Sequence, residues 1–475
     1  MEKRRLFSLV ANSYRTSIST PRFRSKKRGL AASRRPSDPR VFPTSGWDSI
    51  NPSIPVEEET IPTYRPEKFY PVRIGEVFNH RYQVVGKLGY GSSATNREHR
   101  YVTLKVYTAS SSVNREIEIY KHLDTFQSDH ADQSCLRPLL EIFQTPQSEG
   151  HSVHTCLVHP PLGISLDQLP PLLPGGVMSS AMVRTTTRNT LAALDFLHTE
   201  AGIIHTDLQP NNILLGIKDE SILSKFETAE FEAPVPRKTL EDRTIYLSRP
   251  LPISYGTPVL CDLGEARLGT DRQQGDIMPD IYRAPEVILN MTWDYKVDIW
   301  KDGVLEIWDL FEHRHLFRAR NPERKLDDGY HLAEMQVVLG DPPIEFLARS
   351  ETSLEFWDKN GKWKSATPVP EYDLDTLEAR LQGDEKYDFL RFLRRMLCWL
   401  PEERATAKEL LFDPWLMHAL DLFFISSAHA SGQASISPYT DEGCTDSQII
   451  EIEHEVLVQP TSLDKTPSHF SMLEE

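Results

Sequence analysis

Residues 204–214, which read IHTDLQPNNIL, decide the fold. Asp207 stands two residues after His205, and an amide, Asn212, follows five residues later. The pattern His-x-Asp-x-x-x-x-Asn puts on one loop a carboxylate that can accept a proton and an amide that can reach a metal ion. Because an isolated His-x-Asp triplet is usually an ordinary surface loop, the stretch needs support from elsewhere in the chain.

That support comes from four further elements in a fixed order around the loop. Upstream, Lys105 lies in an alternating strand pattern behind a Gly-x-Gly turn, and Glu116 lies on the helix pattern that follows. Downstream, an apolar run ends in Asp-Leu-Gly at 262–264, about 50 residues after Asn212, and Tyr-Arg-Ala-Pro-Glu follows at 282–286. Each element alone has an unremarkable interpretation. The loop and these four elements in this order, however, indicate one cleft that binds and transfers phosphate.

The hydrophobic pattern changes from period 2 to period 3.6 along the chain. We predict strands at Tyr82–Val85, Tyr101–Tyr107 and Thr155–His159, and helices at Ser112–Leu123, Thr190–His198 and Asp298–Phe311. Ser111 or Ser112 is the candidate cap of the first helix. The fold class is therefore α+β, with a small β-rich N-lobe and a larger helical C-lobe.

The sequence resembles the eukaryotic protein kinases, and within them the serine/arginine-protein kinases (SRPK-like), particularly their fungal relatives. The resemblance covers about residues 57–420 and includes a long interval between Asn212 and Asp262, where that family carries its spacer. It rests on KLGYGSS at 87–93, HTD at 205–207, DLGEAR at 262–267 and DDGYHLAEM at 327–335.

This resemblance implies a bilobal protein kinase fold, binding of ATP and Mg²⁺, and transfer of the ATP γ-phosphate to serines in basic, Arg/Ser-rich proteins. By the same resemblance Asp207 is the catalytic base, Asn212 and Asp262 are magnesium ligands, and Lys105 and Glu116 hold the α- and β-phosphates. The remaining expected site residues are the catalytic-loop Gln209, the glycine-loop residues Leu88, Gly89 and Gly91, the gatekeeper His159, and the hinge residues Pro160 and Leu162, whose carbonyl and amide respectively face adenine.

Other residues take structural roles in this comparison. Glu286 and Arg404 match a buried ion pair, and Asp298 matches the acid that braces the catalytic loop. Glu118 lies on the same predicted helix as Glu116, but two residues correspond to about 200° of helical rotation, so only one can face Lys105. Asp327 and Asp328 are candidate docking acids for a basic substrate or members of a solvated turn. For Cys261, next to Asp262, we expect packing.

Three departures from the family pattern keep a second function open. The interval from Gly89 to Lys105 is 16 positions, about six fewer than usual, Gln209 replaces a lysine, and Lys301-Asp302 replaces uncharged residues. A short glycine-loop hairpin weakens phosphate binding, so the alternative function is a pseudokinase or binding scaffold. A small-molecule kinase of related fold is a more remote alternative.

The 475 residues carry a formal charge of −16, which hides an asymmetry. Residues 1–40 carry +10, whereas residues 41–475 hold 41 basic and 67 acidic side chains and carry −26. An acidic body suits basic protein partners. We expect no direct nucleic-acid partner, no membrane span and a monomer.

Five scattered cysteines indicate a reducing compartment, the cytoplasm or nucleus, and the basic arm leaves a mitochondrial address open.

The expected organisation follows from these patterns. We predict a basic disordered arm or targeting segment at 1–45, an extended lead-in at 46–80, the N-lobe at 81–162, the C-lobe at 163–420 with a short insert at about 216–256, and a disordered acidic tail at 428–475.

Overall fold

A computed structural model describes residues 7–10, 39–89, 92–95, 101–108, 113–126, 131–145, 152–269 and 272–417. Most of the predicted basic arm and the whole predicted tail at 428–475 lie outside these residues. Among the described residues, no helix is long and apolar enough to cross a bilayer.

One antiparallel sheet forms the N-lobe. Its strands follow the order β1-β3-β4-β5-β7-β6, with β2 paired to β3 and β1 also paired to β5. The bounds are β1 Phe7–Val10, β2 Val77–Phe78, β3 Tyr82–Lys87, β4 Ser92–Thr95, β5 Tyr101–Val106, β6 Glu141–Gln144 and β7 Thr155–His159. The three predicted strands correspond to β3, β5 and β7, and β1 lies within the predicted arm.

Helix α1, Val113–Thr125, follows β5 and carries Glu116 beneath the sheet. The two candidate caps, Ser111 and Ser112, lie outside the described residues. β3 is buried along its whole length, with apolar residues of the lead-in packed against the N-lobe cluster and Phe226 of the insert packed at Gly86. The lead-in contains two short helical turns, Glu57–Thr60 and Pro66–Lys68.

Helices dominate the C-lobe. Helix α2, Ser180–Asp195, begins at Ser179, whose side chain accepts a hydrogen bond from the amide of Met182, and it continues as a π-helical turn, Phe196–Ala201. The later helices are α4 Pro285–Ile288, α5 Lys296–Asp302, α6 Asp328–Leu339, α7 Ile344–Leu347, α8 Ser353–Phe356, α9 Leu374–Leu377, α10 Gly383–Arg394 and α11 Ala407–Leu411.

Every residue of α5 is buried, so this helix forms the centre of the lobe. The sequence pattern predicts one helix over 298–311, whereas the structure changes from α-helix to a π-helical segment, Gly303–Asp309. The predicted apolar stripe, Trp300, Val304, Ile307, Trp308 and Phe311, is nevertheless entirely buried.

Two short strand pairs carry the segments that reach the cleft. β8, Ile203–Ile204, pairs with β13, Arg267–Leu268, and β9, Ile213–Leu215, pairs with β12, Pro258–Leu260. The catalytic-loop motif thus lies between β8 and β9, and the Asp-Leu-Gly segment lies between β12 and β13. Antiparallel pairing therefore brings the two motifs side by side.

The insert between β9 and β12 folds against the N-lobe. It contains α3, Ser221–Glu232, and a hairpin of β10, Arg237–Thr239, and β11, Thr244–Tyr246. Phe226 of α3 packs so closely on β3 that a Cβ atom at Gly86 would lie 2.6 Å from its ring. Lys87 donates to Glu58 of the lead-in at 2.7 Å, so lead-in, insert and β3 form one packed unit.

Candidate active site

A single carboxylate on α5 fixes the backbone of the catalytic loop. Asp298, completely buried, accepts hydrogen bonds from the amides of His205 and Thr206, both at 2.8 Å, and lies 2.9 Å from His198 Nε2. Burial raises the pKa of Asp298, but the contact with His198 and the loop amides outweighs it and holds the pKa below its usual value.

Thr206 shows why this bracing is needed. Its φ of 63° lies in the left-handed region, which a β-branched residue rarely adopts. The amide of Thr206 donates to Asp298, and its hydroxyl donates to the carbonyl of Glu265 at 2.7 Å. These two hydrogen bonds hold the strained turn that presents the next residue, Asp207, to the cleft.

Three polar side chains converge on Asp207, whose own side chain is 24% exposed. Gln209 donates to Oδ2 at 2.8 Å, and Asn212 donates to the same oxygen at 3.2 Å and to the backbone carbonyl of Asp207 at 2.8 Å. The ammonium of Lys301 lies 3.3 Å from the other oxygen, Oδ1. The carboxylate is therefore held at both oxygens and remains accessible.

Lys105 on β5 joins helix α1 to the Asp-Leu-Gly segment. Its ammonium donates to Glu116 at 2.7 Å and to Asp262 at 2.8 Å. Glu118 is exposed, so the helix turns Glu116 toward Lys105, as the resemblance implied. Burial alone would lower the pKa of Lys105, but the two carboxylates outweigh it and raise the pKa above its usual value.

The glycine-loop hairpin forms despite its short sequence. Lys87 pairs with Ser92, so Leu88 to Gly91 connect β3 to β4, and β4 is four residues long. Gly89 has a φ of 96°, which favours glycine. Leu88 packs against the apolar clusters of both lobes, which places it over the cleft between them. Gly91 lies outside the described residues.

The hinge contains a contact that no sequence motif predicted. The carbonyl of Pro160, expected to face adenine, accepts hydrogen bonds from the guanidinium of Arg137 at 3.0 and 3.3 Å. His159 lies 3.0 Å from the carbonyl of Pro138, and burial together with the nearby Arg137 lowers its pKa well below the usual value. Leu162 is buried.

Comparisons with known proteins agree with this geometry. A model of the protein kinase domain matches residues 251–416. A serine/threonine protein kinase of Aspergillus fumigatus is 43% identical over 393 residues, which covers 80% of this chain and 96% of that protein. The chain belongs to the protein kinase family.

More distant relatives indicate which group of protein kinases this chain resembles. The serine/threonine-protein kinase SRPK of Physarum polycephalum is 28% identical, covering 76% of this chain and 91% of its own, and protein kinase dsk1 of Schizosaccharomyces pombe is 24% identical, covering 81% and 90%. These relatives confirm the resemblance to SRPK-like serine/threonine kinases. A solved kinase domain, 22% identical, has a TM-score of 0.56 and covers 74% of this chain and 99% of its own, which confirms the bilobal α+β fold.

The donor set of the kinase fits a magnesium ion. Asp262 has a φ of 61°, and Lys105 and the amide of Gly264 both contact its Oδ1, so Oδ2 has no donor among the described residues. Asn212 donates through its amide nitrogen, which leaves its amide oxygen for a cation. Mg²⁺ prefers such carboxylate and amide oxygens, with waters and phosphates completing its shell.

Two further sequence predictions concern charged side chains: the buried ion pair of Glu286 and Arg404, and the role of Asp327. Glu286 and Arg404, both essentially inaccessible, form a bidentate ion pair with two 2.6 Å contacts. The carboxylate of Asp327 accepts hydrogen bonds from the amides of Gly329 and Tyr330 and so caps α6, and its role as a docking acid stays a prediction.

Cys261, next to Asp262, is buried, and burial raises the pKa of its thiol to about 11, which suits packing.

Sequence reasoning missed three contacts near the site. Arg137 carried no signal, and neither did the ion pair between Arg115 and Glu265, whose charged atoms lie 2.8 Å apart and join α1 to the segment after Asp262. Lys301 did carry one, because a charged residue was flagged where the family has an uncharged one. Its partner, 94 residues earlier in the chain, was not foreseen.

Proposed function

We propose that this kinase transfers the γ-phosphate of ATP to serine hydroxyls in basic, Arg/Ser-rich proteins. The observation that carries the proposal is the joint contact of Lys105 with Glu116 and Asp262, opposite an accessible Asp207. This is the arrangement in which a kinase cleft is assembled for transfer, because it needs the strand lysine, the helix glutamate and the metal-binding aspartate in place together.

In the proposed reaction the serine oxygen forms a bond to the γ-phosphorus, and the bond from that phosphorus to the β–γ bridging oxygen breaks. ADP leaves with the electron pair of the broken bond, and the serine proton goes to the carboxylate of Asp207. Lys105 holds the α- and β-phosphates. Asp262 and Asn212 would hold Mg²⁺, which when bound neutralises charge on the phosphate oxygens.

Activity without phosphorylation of the loop is part of the proposal. The only hydroxyl residues between Asp262 and Glu286 are Thr270 and Tyr282. The hydroxyl of Tyr282 donates to Asp309 at 3.0 Å, so it already has a structural role, and Thr270 lies outside the described residues. The Arg115–Glu265 ion pair supports α1 in its inward position in place of a phosphate.

The substrate class rests on family resemblance and on charge. The relative from Physarum polycephalum is named SRPK, and the body of this chain carries −26 outside its basic arm. An acidic surface attracts a substrate rich in arginine and raises its rate of encounter. We therefore expect an Arg-Ser repeat to be preferred over a serine flanked by acids.

Peptide competition tests this substrate class. Three peptides of equal length would be offered with Mg-ATP: an Arg-Ser repeat, a Lys-Ser repeat and a Glu-Ser repeat. The proposal predicts the order Arg-Ser, then Lys-Ser, then Glu-Ser in kcat/KM, with a difference that shrinks as salt is added. Equal rates for all three, or preference for Glu-Ser, would refute the Arg/Ser assignment while leaving the kinase activity intact.

A further inference from the structure

The catalytic loop of this kinase lacks a positive charge of its own next to Asp207. Gln209 stands two residues after the aspartate and donates a neutral amide hydrogen bond to Oδ2 at 2.8 Å. An amide can orient a carboxylate but cannot balance its charge or the charge that develops on a transferring phosphate. A cation within reach of Asp207 must therefore come from another element if it is to exist at all.

Such a cation is present on α5. Lys301 has a completely buried side chain, and its ammonium lies 3.3 Å from Oδ1 of Asp207. It contacts the carboxylate oxygen that Gln209 and Asn212 do not contact. The two oxygens of Asp207 are thus held by different groups, a cation on one and two amides on the other.

The position of Lys301 on its helix explains how the contact is aimed. Asp298 and Lys301 are three residues apart, so both project from the same face of α5 toward the catalytic loop. Asp298 binds the loop backbone through the amides of His205 and Thr206, and Lys301 binds the side chain of the next residue. One buried helix therefore fixes the position of the loop backbone before Asp207 and the position of the Asp207 carboxylate.

We propose that Lys301 is a positioning residue for Asp207 and supplies from α5 the positive charge that the catalytic loop lacks at Gln209. The inference rests on the proposed function. A buried ammonium is costly unless it is paired, and the carboxylate of Asp207, 3.3 Å away, is its partner. Lys301 and Asp207 therefore hold each other in the geometry that proton transfer needs.

The test removes the positive charge at position 301, restores one at position 209 and measures kcat in each variant. Lys301→Met keeps the length and apolar stem of the side chain and removes the ammonium. We expect kcat to fall about 10- to 100-fold, the range for loss of one buried electrostatic contact, while KM for ATP stays within about twofold. Adding Gln209→Lys to Lys301→Met should restore most of the lost kcat, because the cation returns from the other side.

A matched control separates this role from general stability. Lys296 is also buried on α5, but it donates to the backbone carbonyl of Arg404, away from Asp207. Lys296→Met should lower the unfolding temperature and leave kcat per folded molecule unchanged. If Lys301→Met behaves like Lys296→Met, or if Gln209→Lys fails to restore kcat to the folded variant, the proposal is wrong.

An assay without turnover keeps the proposal testable if the wild-type protein transfers no phosphate. Unfolding temperatures would be measured for Lys301→Met, Asp207→Asn and the double variant. If the two side chains hold each other, the second substitution costs much less once the first is made, so the shifts are not additive. Additive shifts would overturn the pairing, whereas failure of transfer alone would overturn the proposed function.

Discussion

The contact between the insert and the N-lobe gives a sharp prediction about the glycine-loop strand. Gly86 lies on β3, two residues before the loop begins, and a Cβ atom there would lie 2.6 Å from the ring of Phe226. The ring belongs to a buried residue and β3 is paired on both sides, so neither can move freely. Gly86→Ala should therefore cost about 1–3 kcal/mol in the free energy of unfolding, the range for overpacking.

Removing the ring reverses the sign of that effect. Phe226→Ala alone should cost about 3–5 kcal/mol, because it leaves a cavity beneath β3. In that background Gly86→Ala no longer meets an obstacle, and it should be neutral or stabilise by about 0.4–1 kcal/mol by restricting the unfolded chain. The two substitutions are thus expected to be strongly non-additive.

Urea unfolding of the four proteins in this cycle supplies the four free energies. The KM for Mg-ATP should rise in Phe226→Ala, because β3 leads directly into the loop that we propose covers the phosphates. If Gly86→Ala costs the same in both backgrounds, the insert does not support β3 and the packing argument fails.

Three further predictions concern single sites. Arg404→Met should cost about 3–5 kcal/mol in urea unfolding because it leaves Glu286 buried without its partner, and adding Glu286→Leu should recover most of the loss; a single-variant cost under about 1 kcal/mol would contradict the role of the pair. Burial and a nearby arginine lower the pKa of His331 to about 3, so the unfolded chain binds a proton below pH 6.5 that the folded chain does not. Stability should therefore fall as pH drops from 6.5, by up to about 1.4 kcal/mol per pH unit from this group, and His331→Phe should flatten the fall in unfolding midpoints between pH 7.5 and 5.5; an unchanged slope would refute this. Glu116→Gln should lower kcat/KM about 10- to 100-fold, because a charge-assisted bond to the strand lysine is lost, whereas the exposed control Glu118→Gln should have no effect; equal effects would contradict the assignment.

Local patterns predicted the parts of this kinase that depend on neighbouring residues in the chain. The strand predicted at Thr155–His159 has those bounds in the structure, and the helix predicted at Ser112–Leu123 is α1, Val113–Thr125. Helical rotation also showed that only one of Glu116 and Glu118 can face Lys105. These features follow from side-chain period, which a single segment records.

Contacts between distant segments were not predictable in the same way. Asp207 and Lys301 are 94 residues apart, and Arg137 and Pro160 meet across the hinge, with no fixed spacing to announce either contact. The change to a π-helical segment at Gly303 was also invisible, because apolar residues remain buried whether the turn has 3.6 residues or slightly more. The short glycine-loop hairpin, the neutral Gln209 and the charge at position 301 indicated that the site differs from the family, but none of them indicated which residues meet.

The function itself depends on whether this cleft transfers phosphate. The most direct measurement follows labelled γ-phosphate from Mg-ATP to an Arg-Ser repeat peptide, with Asp207→Asn as the control. The account predicts transfer by the wild-type protein and its loss in the folded variant, because the proton acceptor is removed while the amide keeps its shape. No transfer by the wild-type protein, on a peptide that a known kinase phosphorylates in the same buffer, would contradict the account and favour a binding scaffold.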